Sequence, residues 1–273
     1  MTSPTLKQLT FNAVDGLAFA AARNRLDPAR PPAYYTPSSL GPLLEVLHLA
    51  AGGQLPDPTS GNWLVLNGAA PLVAALGQKR ESWVCSTNRR MGFIRAVRSG
   101  PDGDNRLAAF LMDAQRAARD TAGLPSPAPG QLTAAMQELE SNIHEHAGAT
   151  DTAFLAFRAA PGVFEFVTGD RGIGILASLR SCTAHAGLPD HGKALGAALT
   201  DGISRHGPDS CHGHGFRPMF VGLLNLIGSL RFRSGDHALT MDGTSPNLAT
   251  AQIAQKPAID GFFASVRCHI RSS

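Results

Sequence analysis

Three polar residues recur every four positions between Gln131 and Ala147, namely Glu138, Asn142 and His146. Apolar residues in this segment recur at helical spacing, so the polar residues are predicted to form one stripe along a helix. Mg²⁺ prefers oxygen ligands and keeps several waters, so the Asn142 amide oxygen and nucleotide phosphates suffice to hold it. Glu138, one turn earlier, is placed to act as a general base. For this helix alone, a solvated polar face is the alternative interpretation.

A second motif, Asp170-Arg-Gly172-Ile-Gly174, directly follows Val163 to Val167, which is predicted to be a strand. A carboxylate at the end of a strand can accept a hydrogen bond from the amino group of adenine. The two glycines allow backbone and base to approach closely. An ordinary Asp-Gly turn at a strand end is the alternative for this motif taken alone.

A third motif, His212-Gly213-His214-Gly215-Phe216, precedes a segment with the apolar spacing of a helix. Amide groups at a glycine-rich helix start can face phosphate, and the helix dipole favours the negative charge there. A plain junction between a loop and a helix is the alternative.

In this order and spacing, the three motifs resemble the N, G1 and G2 boxes of the GHKL superfamily, which includes gyrase, heat-shock chaperones, histidine kinases and MutL. The resemblance covers residues 129–273 and is closest in type to stand-alone bacterial histidine-kinase-like or anti-sigma-factor-kinase-like ATPases. It implies ATP and Mg²⁺ as cofactors. It also implies an α+β fold, a two-layer α/β sandwich known as the Bergerat ATP-binding fold.

The resemblance assigns a role to individual residues. It makes Glu138 the catalytic base, Asn142 the Mg²⁺ ligand and Asp170 the residue that reads adenine. The other positions that it places at the nucleotide are His146, Gly172, Gly174, Gly213, His214, Gly215 and Phe216. Arg217 departs from the family pattern, because many members carry a third glycine there. The segment resembling the ATP lid, around Ala194 to Ser204, is flanked by several histidines, so zinc binding stays open.

Residues Leu124 to Gly130, LPSPAPG, separate two helical patterns and predict a domain boundary. Residues 125–273 form the predicted GHKL domain, and residues 1–124 a smaller α/β region. Parts of that region, Trp63 to Gly68 and Asn88 to Ala96, bear a fainter resemblance to a degenerate STAS module. The elements expected from pattern are helices at 38–51, 107–122, 131–147, 193–199 and 216–227, and strands at 63–66, 153–158, 163–167, 230–233, 238–241 and 262–270.

Composition restricts the classes of partner. The chain of 273 residues is 43% hydrophobic and 16% charged, as globular proteins are, and its net charge of +3 is not concentrated in a basic run. Nucleic acid is therefore not indicated. The 4 cysteines lie far apart, which fits a reducing cytoplasm. The longest apolar stretch is too short and interrupted to cross a bilayer, so no membrane is expected.

Single residues argue against two other functions. Gly187 to Ala194 has P-loop spacing but lacks the Ser or Thr that binds Mg²⁺. A histidine kinase would need a phosphoacceptor histidine ahead of the ATP domain, and His48 lacks the usual surroundings. We therefore expect a cytoplasmic regulatory ATPase or serine/threonine protein kinase that signals through its ATP lid. We also expect a protein partner, either a regulator or a phosphoacceptor. A non-catalytic ATP-binding module is the alternative, and a homodimer stays open.

Overall fold

The structure is a computed structural model. It describes residues 6–27, 33–60, 63–78, 80–95, 101–146, 148, 150–198, 227–242 and 251–270. Among these residues, none of the helices combines the length and the apolar character that crossing a bilayer requires.

Helices and strands alternate irregularly along the chain. The first part contains β1 (Leu6–Leu9), α1 (Phe11–Ala22), β2 (Tyr34–Pro37), α2 (Leu40–Ala51), α3 (Ala70–Gly77), β3 (Ser82–Val84), β4 (Met91–Arg95) and α4 (Pro101–Arg116). The second part contains α5 (Ala128–His146), β5 (Phe154–Ala160), β6 (Val163–Asp170), α6 (Gly174–Arg180), α7 (His191–Ala198), β7 (Ile227–Asp242) and β8 (Gln252–His269). The segment 216–227, predicted to be a helix, lies outside the described residues except for its last position.

A six-stranded antiparallel sheet in the order β3-β4-β5-β6-β8-β7 organises the chain. A separate parallel pair joins β1 to β2. Strands β5 and β6 are joined by Pro161-Gly162, a pair that predicts a turn from the sequence, and Gly162 there has a φ of 75°. An antiparallel sheet with helices packed on it is consistent with an α+β architecture, so the predicted fold class is confirmed at this level.

Side chains on the two faces of the sheet enter different cores, because successive residues of a strand point to opposite sides. Phe164 and Phe166 of β6 pack with α4, α5, α6 and α7 in one core. Val167 of β6 and Phe263 of β8 pack with α1, α2 and α3 in the other. The described residues therefore form three layers, helices on each side of one sheet.

This layering differs from the predicted two-layer sandwich beside a separate N-terminal region. Strands β3 and β4 precede the predicted boundary, yet β4 pairs with β5, with Phe93 opposite Ala156. The proline-rich segment is packed rather than extended, since Leu124 and Ala128 are buried and the Ala128 amide donates to the Pro125 carbonyl at 2.9 Å. Proline and glycine there mark a tight turn between two helices, a pattern that sequence does not distinguish from a linker.

The N-terminal helices are joined to the sheet by charged groups away from water. Arg231 and Arg233 of β7, Asp15 of α1, Glu45 of α2 and Lys256 of β8 form what we call the buried charge cluster. Arg231 contacts Asp15 at 2.5 Å and Glu45 at 2.7 Å, and Arg233 contacts Glu45 at 2.5 Å. Lys256 Nζ lies 2.8 Å from Asp15. Desolvated ions are retained only when opposite charges surround them, so this cluster specifies how α1 and α2 sit on β7.

Candidate functional site

Asp170 is the last residue of β6 and is only 2% exposed. It alternates in phase with Phe164 and Phe166, so its side chain belongs to the face that carries α5 and α6. Its Oδ1 accepts a hydrogen bond of 2.7 Å from the amide of Gly172. Burial raises the pKa of the Asp170 carboxyl to about 6, and the Gly172 bond partly opposes the rise. A carboxylate this buried calls for a polar partner, as an adenine amino group would be.

Two glycines shape the backbone around Asp170. Gly174, at the start of α6, has a φ of 71°, and a Cβ there would lie 2.8 Å from Ser234 Oγ and 2.9 Å from the Gly261 carbonyl oxygen. Gly261, in β8, has a φ of 67°, and its Cβ would collide with the carbonyl oxygen and carboxylate of Asp170. Only glycine fits both the left-handed conformation and the available space.

Ser234 connects these elements and was not singled out by the sequence. Its Oγ donates to the Gly261 carbonyl at 2.9 Å and accepts from the Ile175 amide at 3.0 Å. The hydroxyl thereby fixes the start of α6 against β8. The pattern placed Gly261 just before the strand expected at 262–270, whereas it lies inside β8. Ser234 had no local signal either, since its partners come from distant segments.

The predicted polar stripe lies on α5. Leu139 and Ile143 are buried against the sheet, whereas Glu138 is exposed and Asn142 is half-buried. The Asn142 side-chain amide donates to the Glu138 carbonyl at 2.8 Å, which fixes Nδ2 against the helix and leaves Oδ1 as the atom for a cation. His146 ends the helix, and its side chain lies outside the described residues.

The end of α5 lies beside the Asp170 loop. A Cβ placed on Gly148 would be 3.6 Å from Ile173 Cγ2, so the chain leaving α5 touches the residue between Gly172 and Gly174. Ile143 of α5 and Ile175 of α6 share one apolar core with Phe166 of β6. Two of the three predicted motifs are therefore on the same side of the sheet and in neighbouring segments.

The third motif cannot be placed in the same way. Gly213, His214, Gly215 and Phe216, together with Arg217, lie outside the described residues. Among the residues that are described, no group of three or more His, Cys, Asp or Glu side chains is arranged to hold a metal ion. The zinc possibility rests on six residues of this region. His185 and His191 are described, whereas His206, Cys211, His212 and His214 lie outside the described residues.

The described part of the segment around the predicted lid is packed. Within residues 178–198, Leu179, Ala194, Leu195 and Ala198 are buried, and α7 packs on β7. The glycine-rich, polar composition of residues 178–211 predicts a segment without a sustained apolar face. This expectation is wrong for residues 178–198, because two short helices bury leucine and alanine there without a long periodic pattern.

A scan against family models finds no match to the sequence, and a search of curated proteins finds none either.

Proposed function

We propose that this chain binds Mg-ATP in a Bergerat-type pocket of the GHKL kind and acts as a regulatory ATPase or a serine/threonine protein kinase. The observation that carries the proposal is the Asp170 carboxylate, buried at the end of β6 with the Gly261 backbone packed against it. Helix α5, which carries Glu138 and Asn142, packs on the same face of the sheet, and this supports a single pocket.

The residues present fit the cofactors. Asp170 has one oxygen engaged by Gly172, and the second can accept a hydrogen bond from the exocyclic amine of adenine. Asn142 supplies an amide oxygen for Mg²⁺, an ion that needs few protein ligands when phosphates complete its shell. Bound Mg²⁺ neutralises charge on the phosphates.

Glu138 supplies the base in this proposal. It is exposed on α5, one helical turn before Asn142, where an attacking water or protein hydroxyl can reach it. It would accept the proton of that hydroxyl as the oxygen attacks the terminal phosphorus, while the bond from that phosphorus to the bridging oxygen breaks and ADP leaves. If water attacks, the chain is an ATPase, and if a serine or threonine of a partner protein attacks, it is a protein kinase. Labelled phosphate is recovered free in the first case and on protein in the second.

ATP affinity should depend on Asp170. Asp170→Ala removes a buried acceptor for the adenine amine, and a hydrogen bond of that kind contributes about 1.5–3 kcal/mol, so affinity should fall roughly ten-fold or more. Isothermal titration calorimetry with a non-hydrolysable ATP analogue and Mg²⁺ measures it. Asp151→Ala removes an exposed carboxylate on the other face of the sheet and serves as the matched control. Equal affinity for all three proteins would refute the pocket.

ATP affinity should also change with pH. Since the pKa of Asp170 is raised to about 6, the carboxyl is protonated as pH falls from 7 to 5 and loses acceptor capacity. Roughly one molecule in ten remains ionised at pH 5, so affinity should weaken by up to about ten-fold. The phosphates of ATP titrate nearby, so the same titration on Asp170→Asn, which cannot ionise, supplies the baseline. A parallel pH dependence in both proteins would remove Asp170 as the cause.

A further inference from the structure

A cavity lies on the face of the sheet opposite to Asp170 and α5. It has a volume of about 280 Å³ and is bounded by α2, α3 and the ends of β4, β5 and β6. Glu165 of β6 holds α2 over this face, since its Oε2 accepts a hydrogen bond of 3.1 Å from the Leu40 amide at the start of that helix. Much of the wall is apolar, formed by Leu44, Leu47, Val73 and Leu76. The nucleotide site proposed above uses none of these residues.

Two arginines line the cavity, and backbone carbonyls hold both. Arg95 donates to the Arg80 carbonyl at 3.0 Å and to the Leu76 carbonyl at 3.1 Å. Arg171 donates to the Ala51 carbonyl through Nη1. Within the described part of the chain, neither guanidinium forms an ion pair with a carboxylate, although exposed Asp151 also lines the cavity. Two cations and one carboxylate leave a net positive charge beside an apolar wall.

A buried imidazole completes the lining. His48 is 7% exposed, its ring hydrogen-bonds to the Asp260 carbonyl, and Nε2 has no hydrogen-bond partner among the described residues. The bond to Asp260 therefore falls to Nδ1. Burial lowers the pKa of His48 to about 4, so the ring is neutral and Nε2 carries a lone pair. A buried polar atom without a partner is uncommon and calls for an explanation. Nε2 itself has almost no accessible surface, so a ligand that donates to it requires the His48 ring to turn toward the cavity.

We propose that this cavity binds a small organic anion, with its carboxylate or phosphate at Arg95 and Arg171, its apolar body against the leucines, and an N–H or O–H group donating to His48 Nε2. Guanidinium groups match the geometry of planar oxyanions and bind them by paired hydrogen bonds. Arginines already held by backbone carbonyls lose little conformational freedom when a ligand arrives. The proposal does not depend on nucleotide binding at Asp170.

Indole-3-acetate is a suitable probe, because it combines a carboxylate, an apolar body and one N–H donor. Calorimetry on the full chain should show binding of indole-3-acetate, weaker binding of naphthalene-1-acetate, which lacks the donor, and no detectable binding of tryptophol, which lacks the carboxylate. Phenyl phosphate tests whether phosphate replaces the carboxylate. This series needs no variant, so it remains decisive if substitutions impair folding. Equal binding of tryptophol and indole-3-acetate, or no binding of either oxyanion at millimolar concentration, would overturn the proposal.

Variants then locate the site. Arg171→Met should weaken indole-3-acetate about ten-fold, since a charged hydrogen bond is lost. His48→Phe keeps an aromatic ring and should weaken indole-3-acetate while sparing naphthalene-1-acetate. Arg119→Met, which removes an exposed arginine paired with Asp120, is the matched control and should change nothing. Unaltered binding in folded Arg171→Met and His48→Phe would place the ligand elsewhere and end the proposal.

Discussion

Glu138→Gln is expected to lower the rate of ATP turnover by ~10²–10⁴-fold, while the dissociation constant for ATP stays nearly unchanged. The substitution keeps the size and hydrogen-bonding ability of the side chain but removes the carboxylate that accepts a proton. Because Glu138 is exposed and Asn142 bonds to the backbone carbonyl of Glu138 rather than to its carboxylate, the change should not disturb α5. Release of labelled phosphate, or its transfer to protein, gives the rate.

Gln137→Ala is the matched control for this experiment. Gln137 is also exposed but points about 100° away around the helix, so its loss should leave turnover intact. Full turnover by Glu138→Gln would show that another group is the base. Binding of ATP without turnover in the unaltered chain would instead favour a non-catalytic ATP-binding module.

Glu45→Gln should lower the free energy of unfolding by about 3–5 kcal/mol, as removing one partner of a buried ion pair does. Glu45 is fully buried and contacts both Arg231 and Arg233, so its neutralisation leaves the buried charge cluster with excess positive charge in the interior. Urea titration followed by circular dichroism measures the loss.

A surface ion pair offers the comparison. Glu81 pairs with Arg106, but its side chain is 74% exposed, so Glu81→Gln should change stability by less than about 1 kcal/mol. Replacing Glu45 by Leu together with Arg231 and Arg233 by Met leaves Asp15 with Lys256, and should recover much of the stability. Equal effects of Glu45→Gln and Glu81→Gln would mean that the cluster is not desolvated.

The elements that bear the candidate site were predictable because their patterns are local. Helix α5 was expected at 131–147 and spans Ala128–His146, since its apolar residues keep helical spacing over several turns. Strands β5 and β6 were expected at nearly their observed places, as was the turn between them. The position of Asp170, Gly172 and Gly174 at the end of β6 was also predictable, because these residues directly follow the strand pattern in the sequence.

What the sequence did not reveal depends on distant partners. Arg231 lies 216 residues from Asp15 and 186 from Glu45, so nothing near β7 indicates that its charges are buried. Strand β7 was expected as two short strands but continues through Gly235, whose φ of 56° accommodates an irregularity in pairing. Trp63 to Leu66 was expected as a strand and forms only an isolated bridge, between Leu64 and Tyr35.

The position of β6 in the sheet has a consequence for the order in which the protein forms during synthesis. One neighbour, β5, immediately precedes β6, but the other, β8, pairs His269 with Val163, roughly a hundred residues further along the chain. While a ribosome is still translating that interval, β6 has one edge unpaired and Asp170 has no Gly261 beside it. The Asp170 carboxylate is therefore synthesised well before the Gly261 backbone that covers it. A chain stalled before β8 would leave this aspartate uncovered.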